Sequence, residues 1–489
     1  MEDECEYTDS GMRAMAHILQ ENIDRLQNRI DDLEHPRRPR IQRDVSLHQP
    51  YHASSSKLDR VTTSLATGEP PTDLVEQLID IFLPYGSEFG FFMNPSRFRK
   101  SALAPFRIGH HSRPTPALLI TVYLWGLRLS HQENLTAQEP VFLARALDLT
   151  SRGLSDSHPR RVMDTLQAEI LLSYFFFASG RVLEGKYHAA AAISLSLSSS
   201  LHLVRSENLS SPEILPPMDG VEEGERVHAW WTVMIMDKCW AVALSEDPGF
   251  AHRDNMAMVD TPWPLEVDDY AKGRLARNAR YSQTIQKFVN GAHVVNEDMS
   301  TLAMFAKASL LWQRADDLAR SWRPGMPHGL ATNFRNEFTR LDDLIDGFRD
   351  ALVPPNRISN PTPAMTRALV VAHSIAHSAA LRLHSIFSQT DVIAKRKRLA
   401  AARSVLGIIA AVPLRNFRYI NPIMGTVWMA ACGVFLEEIG ALNSLRTTSP
   451  REEEVNLRAF LSRAGAAISA FESTCLLLRG YPYSSFSAA

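Results

Sequence analysis

From residue 71 to about residue 478 the apolar residues of this chain fall three and four positions apart, and no stretch alternates apolar with polar between hairpin turns. Side chains at i, i+3 and i+4 share one face of a helix, whereas a half-buried strand needs a period of two. A chain written this way buries its apolar stripes only by packing helix on helix. The expected fold is therefore all-α: a large multi-helix regulatory domain over 71–489 with no obvious internal repeat. At 489 residues the chain is long enough for one large domain or two to three ordinary ones. Its 45% hydrophobic and 22% charged residues are those of a globular protein.

Local signals place the helices. Thr72 or Asp73 is a candidate cap for a helix running to LPYG at 83–86, where Pro84 and Gly86 would end it. TPALLITVYLWGLRLS (115–130) opens with Pro116 at the first helical position. Residues 158–181 end at Gly180; 182–203 are rich in Ala and small side chains; 222–245 carry two adjacent Trp. The last strong segments are about 364–388, 391–412, 420–440 and 451–478. Between them, 246–265 is the largest irregular piece, where EDPGF and TPWP impose extended backbone.

The segment before residue 71 is different. Met12, Ala16, Leu19, Ile23, Leu26, Ile30 and Leu33 are spaced alternately four and three apart, a period of 3.5. With Ile23 and Ile30 at a and Leu26 and Leu33 at d, the pattern favours a parallel two-stranded coil. Two readings stay open for 12–34: a dimerisation helix, giving a homodimer or heterodimer, or an amphipathic helix packed on the main domain. Pro36 and Pro39 then stop the helix and gather Arg37, Arg38, Arg40 and Arg43, a group suited to phosphate contact or nuclear import, or simply a solvated basic linker. Residues 35–70 are polar and read as a flexible linker.

Several function classes lose support here. A formal charge of −2 gives no chain-wide nucleic-acid footprint, so such binding would be local. Four unclustered cysteines form no disulfide framework, which fits a reducing compartment. No basic region precedes an apolar one at the N-terminus, so no secretory signal is expected. No run of about 18 apolar residues suggests a membrane span, and Ser173 and Tyr174 interrupt ILLSYFFFASG (170–180), which reads as a buried helix. No phosphate loop, dinucleotide fingerprint or GxSxG elbow occurs. His373, His377 and His384 share a helix face, but HSIAH lacks the Glu of a zinc-protease motif, so core histidines are expected. KRKR (395–398), a second import candidate, lies in a helical pattern and reads as a solvated face; the Asp316–Asp317 pair and LDDLIDGFRD (341–350) read as exposed faces. His110 and His111 read as loop.

On the segment 222–245, Trp230, Val233, Asp237 and Trp240 are spaced to lie on one face. Arg226 and Trp230 are i, i+4 neighbours, which allows guanidinium–indole stacking. A carboxylate on so apolar a helix needs a partner, and a structural Arg/Asp pair is the expected one.

The stretch ERVHAWWTVMIMDKCWAVALSEDPGF (225–250), with DNMAMVDTPWP (254–264) after it, resembles the signature of the fungal-specific transcription factor domain. That is the helical regulatory region of fungal zinc binuclear cluster regulators, including the xylanolytic-activator-like ones. In the family an Arg, two aromatics and an Asp lie along one helix, and a Gly-Arg-Pro-like turn and a proline stretch follow. Arg226, Trp230, Trp231, Asp237 and Pro248 match that order, and Trp263 and Pro264 match the later stretch. Glu246–Asp247 stand where the family often has Gly-Arg. The resemblance covers roughly 72–440. It also bears on the N-terminus, since family members begin with six cysteines around two zinc ions, then a linker and a dimerising coil. ECEYTD (4–9) resembles the end of such a cluster, with Cys5 as its sixth ligand and 1–11 as its remnant, while the other five cysteines are absent from the sequence. The resemblance implies a nuclear transcription regulator that binds DNA when intact. It implies zinc in the full-length family and none held by this chain, and a small-molecule or protein effector of the helical domain. Autonomous DNA reading is expected to be lost, so a dimerising partner that sequesters a full-length relative is the alternative. An α-helical enzyme rests only on the domain's size.

Overall fold

The computed structural model describes Gln20, Asp24 and Gln27, and then residues 68–207, 214–250, 259–276, 278–291, 299–353, 361–411, 417–444, 452–469 and 471. The chain divides into two compact units, Met1–Thr62 and Thr63–Ala489. In the first, Gln20, Asp24 and Gln27 are helical and exposed, and Gln20 Nε2 donates to Asp24 Oδ1 at 3.0 Å. Cys5, the seam residues Leu19, Ile23, Leu26, Ile30 and Leu33, and Arg37, Arg38, Arg40 and Arg43 lie outside the described residues.

The second unit is all-α. No strand occurs among the described residues, only an isolated bridge between Ser206 and Tyr281. Its longer helices are α1 Thr72–Phe82, α2 Pro95–Ala102, α3 Pro116–Ser130, α4 Glu139–Ser151, α5 Arg161–Ala178, α6 Val182–Ser198 and α7 Gly220–Leu244. After these come α8 Thr301–Ser321, α9 His328–Ala351, α10 Pro363–His384, α11 Val392–Ala411, α12 Met424–Ser444 and α13 Glu452–Ser469. Caps set many of the starts. The Thr115 and Asp219 side chains accept from Leu118 N and Glu222 N at the heads of α3 and α7, and Ser300 and Thr362 do the same for α8 and α10. At α1 the expectation fails: Pro71, not Thr72 or Asp73, precedes the helix, and the chain continues past Pro84 as a 3-10 turn to Phe89. Proline is tolerated in a first turn, so Pro84 opens this turn; the stop is Gly90, at φ +76°.

Helices α1, α3, α4, α5 and α6 pack as one group, and α8 to α13 as another. Helix α7 contacts α5 and α6 of the first and α8 of the second. Its residues Gly224–Ala241 are all buried, so α7 is a central helix rather than an amphipathic one. Two further ties join the groups: Arg367 Nε of α10 donates to the buried Glu88 carboxylate at 2.8 Å, and the Tyr419 hydroxyl donates to Leu129 O at 3.0 Å. Helix α12 is long and apolar enough to cross a bilayer by length alone. Here it is a core helix that buries Trp428 and Phe435, and its Glu437 and Glu438 pair with Arg398 and Lys395 of α11.

Candidate functional site

The residues singled out by the sequence converge on α7 and the extended chain that follows. Trp231 stacks on Trp263, with ring centroids 4.2 Å apart, and its Nε1 donates to Pro262 O at 2.6 Å. Thr261 Oγ1 donates to Leu201 O at 2.6 Å, and Ser300 Oγ to Pro264 O at 2.5 Å. The Asp260 carboxylate accepts from Ser206 Oγ and Gln283 N. The TPWP strap is thus sewn to α7, to the chain after α6 and to the head of α8. Extended backbone that prolines keep out of helices needs such outside partners when buried.

Trp230, about 100° round α7 from Trp231, is tilted against Phe250 at 5.2 Å and His202 at 5.7 Å. Trp240 stacks on Phe177 of α5 at 3.9 Å. Arg226 does not stack on Trp230. Its Nη2 donates to Leu215 O at 2.5 Å and pairs with Glu222 one turn back at 3.2 Å, because a carboxylate in reach outcompetes an indole face. Nor does Arg226 pair with Asp237, eleven positions along the same helix and so about 16 Å away at 1.5 Å per residue. Asp237 holds the turn instead: Gly249 N donates to Oδ1 at 2.6 Å and Phe250 N to Oδ2 at 3.4 Å. Its second partner is its neighbour Lys238, whose Nζ lies 3.1 Å from Oδ2.

Lys238 is 1% exposed, and sequence reasoning missed it. A lysine beside an aspartate on a helix reads as surface; only the burial of α7 on all sides makes it a buried cation. It opens onto a cavity of about 590 Å³ bounded by the turn after α7, the short helix Thr284–Val289, α8 and α9. Buried Pro248 and Phe250 line it on one side and Leu318 on another; Asp317, Glu337, Arg314 and Arg340 supply charge. Arg320 binds Asp247 at 2.7 Å and Asp317 at 2.8 Å. Burial raises the Asp317 carboxyl above its usual range, with Arg320 working against it. A second buried lysine, Lys307 of α8, stands over Trp263 at 4.9 Å and Phe288 at 5.3 Å, and burial pushes its ammonium down to about 8.

The acidic and basic runs also differ from the surface reading. Asp316 is buried, with Arg382 and Arg320 on its carboxylate at 2.7 and 2.9 Å, because α8 packs lengthwise on α10. Three KRKR side chains are tied down: Lys395 to Glu438, Lys397 to Asp342 and Asp346, and Arg398 to Glu437. His373 Nε2 meets Val353 O and His384 Nε2 meets Asp342, each at 2.9 Å. Burial and the charge of Arg349 push His377 down to about 3. No group of three His, Cys, Asp or Glu able to hold a metal occurs among the described residues. Cys239 and Cys432 are buried thiols pushed up to about 12 by burial, the opposite of what zinc thiolates need. The described donor set does not fit a zinc cluster.

The polar residues singled out by the sequence are thus spent on holding helices and turns, beside an open cavity. Residues 106–275 match the fungal specific transcription factor domain. The match runs from before α3 to just past the TPWP strap, a narrower span than the 72–440 of the resemblance. No curated protein and no solved structure matches.

Proposed function

We propose that this chain is a nuclear transcription regulator of the fungal zinc-cluster type. The second unit is its regulatory part, and the heptad segment around Ile23 and Leu26 its dimer seam. The observation that carries the reading is the family match over 106–275, which encloses the α7–strap assembly. The cavity beside Lys238 is where an effector would act. The 489 residues hold four cysteines, of which Cys239 and Cys432 are core thiols, so they do not supply the six thiolates of a binuclear cluster. The reading therefore includes no DNA recognition by these residues alone; the alternative is a partner that sequesters a full-length relative.

Three measurements test it. A fluorescent fusion is expected in the nucleus. Tethered to a heterologous DNA-binding domain, the chain is expected to change reporter output several-fold; an inert tether would refute a regulatory role. In light scattering the full chain is expected at twice 54.8 kDa, and Ile23→Asp with Leu26→Asp is expected to return it to 54.8 kDa. A wild-type monomer would refute the seam.

A further inference from the structure

We propose that the cavity beside Lys238 binds a small organic carboxylate, its anionic oxygens on the Lys238 ammonium and its body against Phe250, Pro248 and Leu318. The cavity, at about 590 Å³, has the capacity of a metabolite pocket, where roughly 300–1,000 Å³ is usual. An ammonium has three donors, and burial makes each unmet donor costly. Lys238 is 1% exposed, lines the cavity, and among the described residues has one ion-pair partner, Asp237 at 3.1 Å. That carboxylate is shared with Gly249 N and Phe250 N, which leaves room for a second acceptor from the cavity side.

Asp317 feels the Lys238 charge, but no neighbouring acid besides Asp237 forms an ion pair with it among the described residues. Asp247 and Asp317 are held by Arg320 at 2.7 and 2.8 Å, and Asp317 also accepts from Gln313. The α9 wall adds Arg340, whose Nη2 donates to the neutral Asn290 Oδ1 at 3.2 Å and keeps its charge for a ligand, while Glu337 faces Arg314 at 3.6 Å. Phe250 lies 5.5 Å from the Lys238 ammonium, so an apolar ligand body next to the anionic group would pack on its ring. An anion on one side and an apolar body on the other is the chemistry of an organic acid, not of a bare inorganic ion.

The inference rests on the regulator reading only for its biological meaning, because binding is measured on the purified chain. The probes are succinate, glutarate and benzoate, with succinamide and benzamide as uncharged controls, read by saturation-transfer NMR and calorimetry. At least one acid is expected to bind with a Kd of about 1 mM or tighter, at least tenfold better than its amide. Lys238→Met is expected to lose tenfold or more, and Arg340→Glu, an exposed change that leaves the core untouched, threefold or more. Should Lys238→Met not fold, Arg340→Glu and Ser321→Trp, which narrows the cavity from an exposed position, decide the matter. Acids that bind no better than amides, or binding unchanged in the folded variants, overturn the proposal. Binding without reporter activity would overturn the regulator reading and leave the carboxylate site standing.

Discussion

Asp237 is the residue on which the signature turns. Its carboxylate neutralises a buried lysine and ties down the backbone of Gly249 and Phe250, so it fixes both the charge and the shape of the cavity wall. Burying an ion pair costs desolvation that attraction roughly offsets, but removing one partner leaves the other charge stranded. Asp237→Ala is therefore expected to cost about 3–5 kcal/mol, seen as a lowered urea midpoint or melting temperature. The double variant Asp237→Ala with Lys238→Met removes both charges and is expected to regain about half of that loss, the rest being the two backbone bonds. If the double variant is no more stable than the single one, the cost lies in the turn alone and the buried charge pair is not what Asp237 holds.

At the scale of elements, glycines decide how closely two helices approach. At Gly126 in α3, a Cβ would stand 2.5 Å from the carbonyl oxygen of Leu78 in α1. Replacing it with Ala would gain about 1 kcal/mol of helix propensity. A clash with backbone cannot be relieved by a rotamer, and overpacking typically costs about 1–3 kcal/mol. Gly126→Ala is thus expected to destabilise by up to about 2 kcal/mol net, read from chemical denaturation; a stabilised variant would show that α1 and α3 can part without loss. Such a contact is not written in local sequence. The period of 3.6 predicts α3 and α10 within a residue or two at their heads, and Pro116 marks the head of α3. It does not say which helix lies against which. The same limit explains the cavity. Arg226, Trp231 and Asp237 could be picked out as a pattern, but their partners Leu215, Pro262 and Gly249 come from turns whose course depends on the whole assembly. Asp316 and KRKR read as surface because their partners Arg382, Glu437 and Glu438 lie 39 or more positions away, on other helices.

At the scale of the whole molecule, the helix-on-helix core traps titratable rings. Burial holds His228 down at about 4 and His377 at about 3, against an ordinary value of 6.5, and lowers His202 and His373 as well. These rings are neutral in the folded chain at pH values where the unfolded chain protonates them. Unfolding in that window takes up protons, so stability is full above about 6.5 and falls as pH drops toward 4, levelling off below the folded values. Each such histidine contributes a slope of about 1.4 kcal/mol per pH unit. Glu88 and Asp317 work the other way, because burial raises their carboxyls and the folded chain takes their protons first. Burial and Arg418 lower His131 too, so five lowered histidines outweigh the two raised carboxyls between pH 6.5 and 5. The melting temperature is expected to fall steadily across that range. In the His228→Gln, His377→Gln variant the fall should be shallower by about half, since Gln at 228 can still donate to Leu265 O in place of Nε2. An unchanged slope in that variant would place the acid sensitivity elsewhere in the chain and remove the buried rings as its cause.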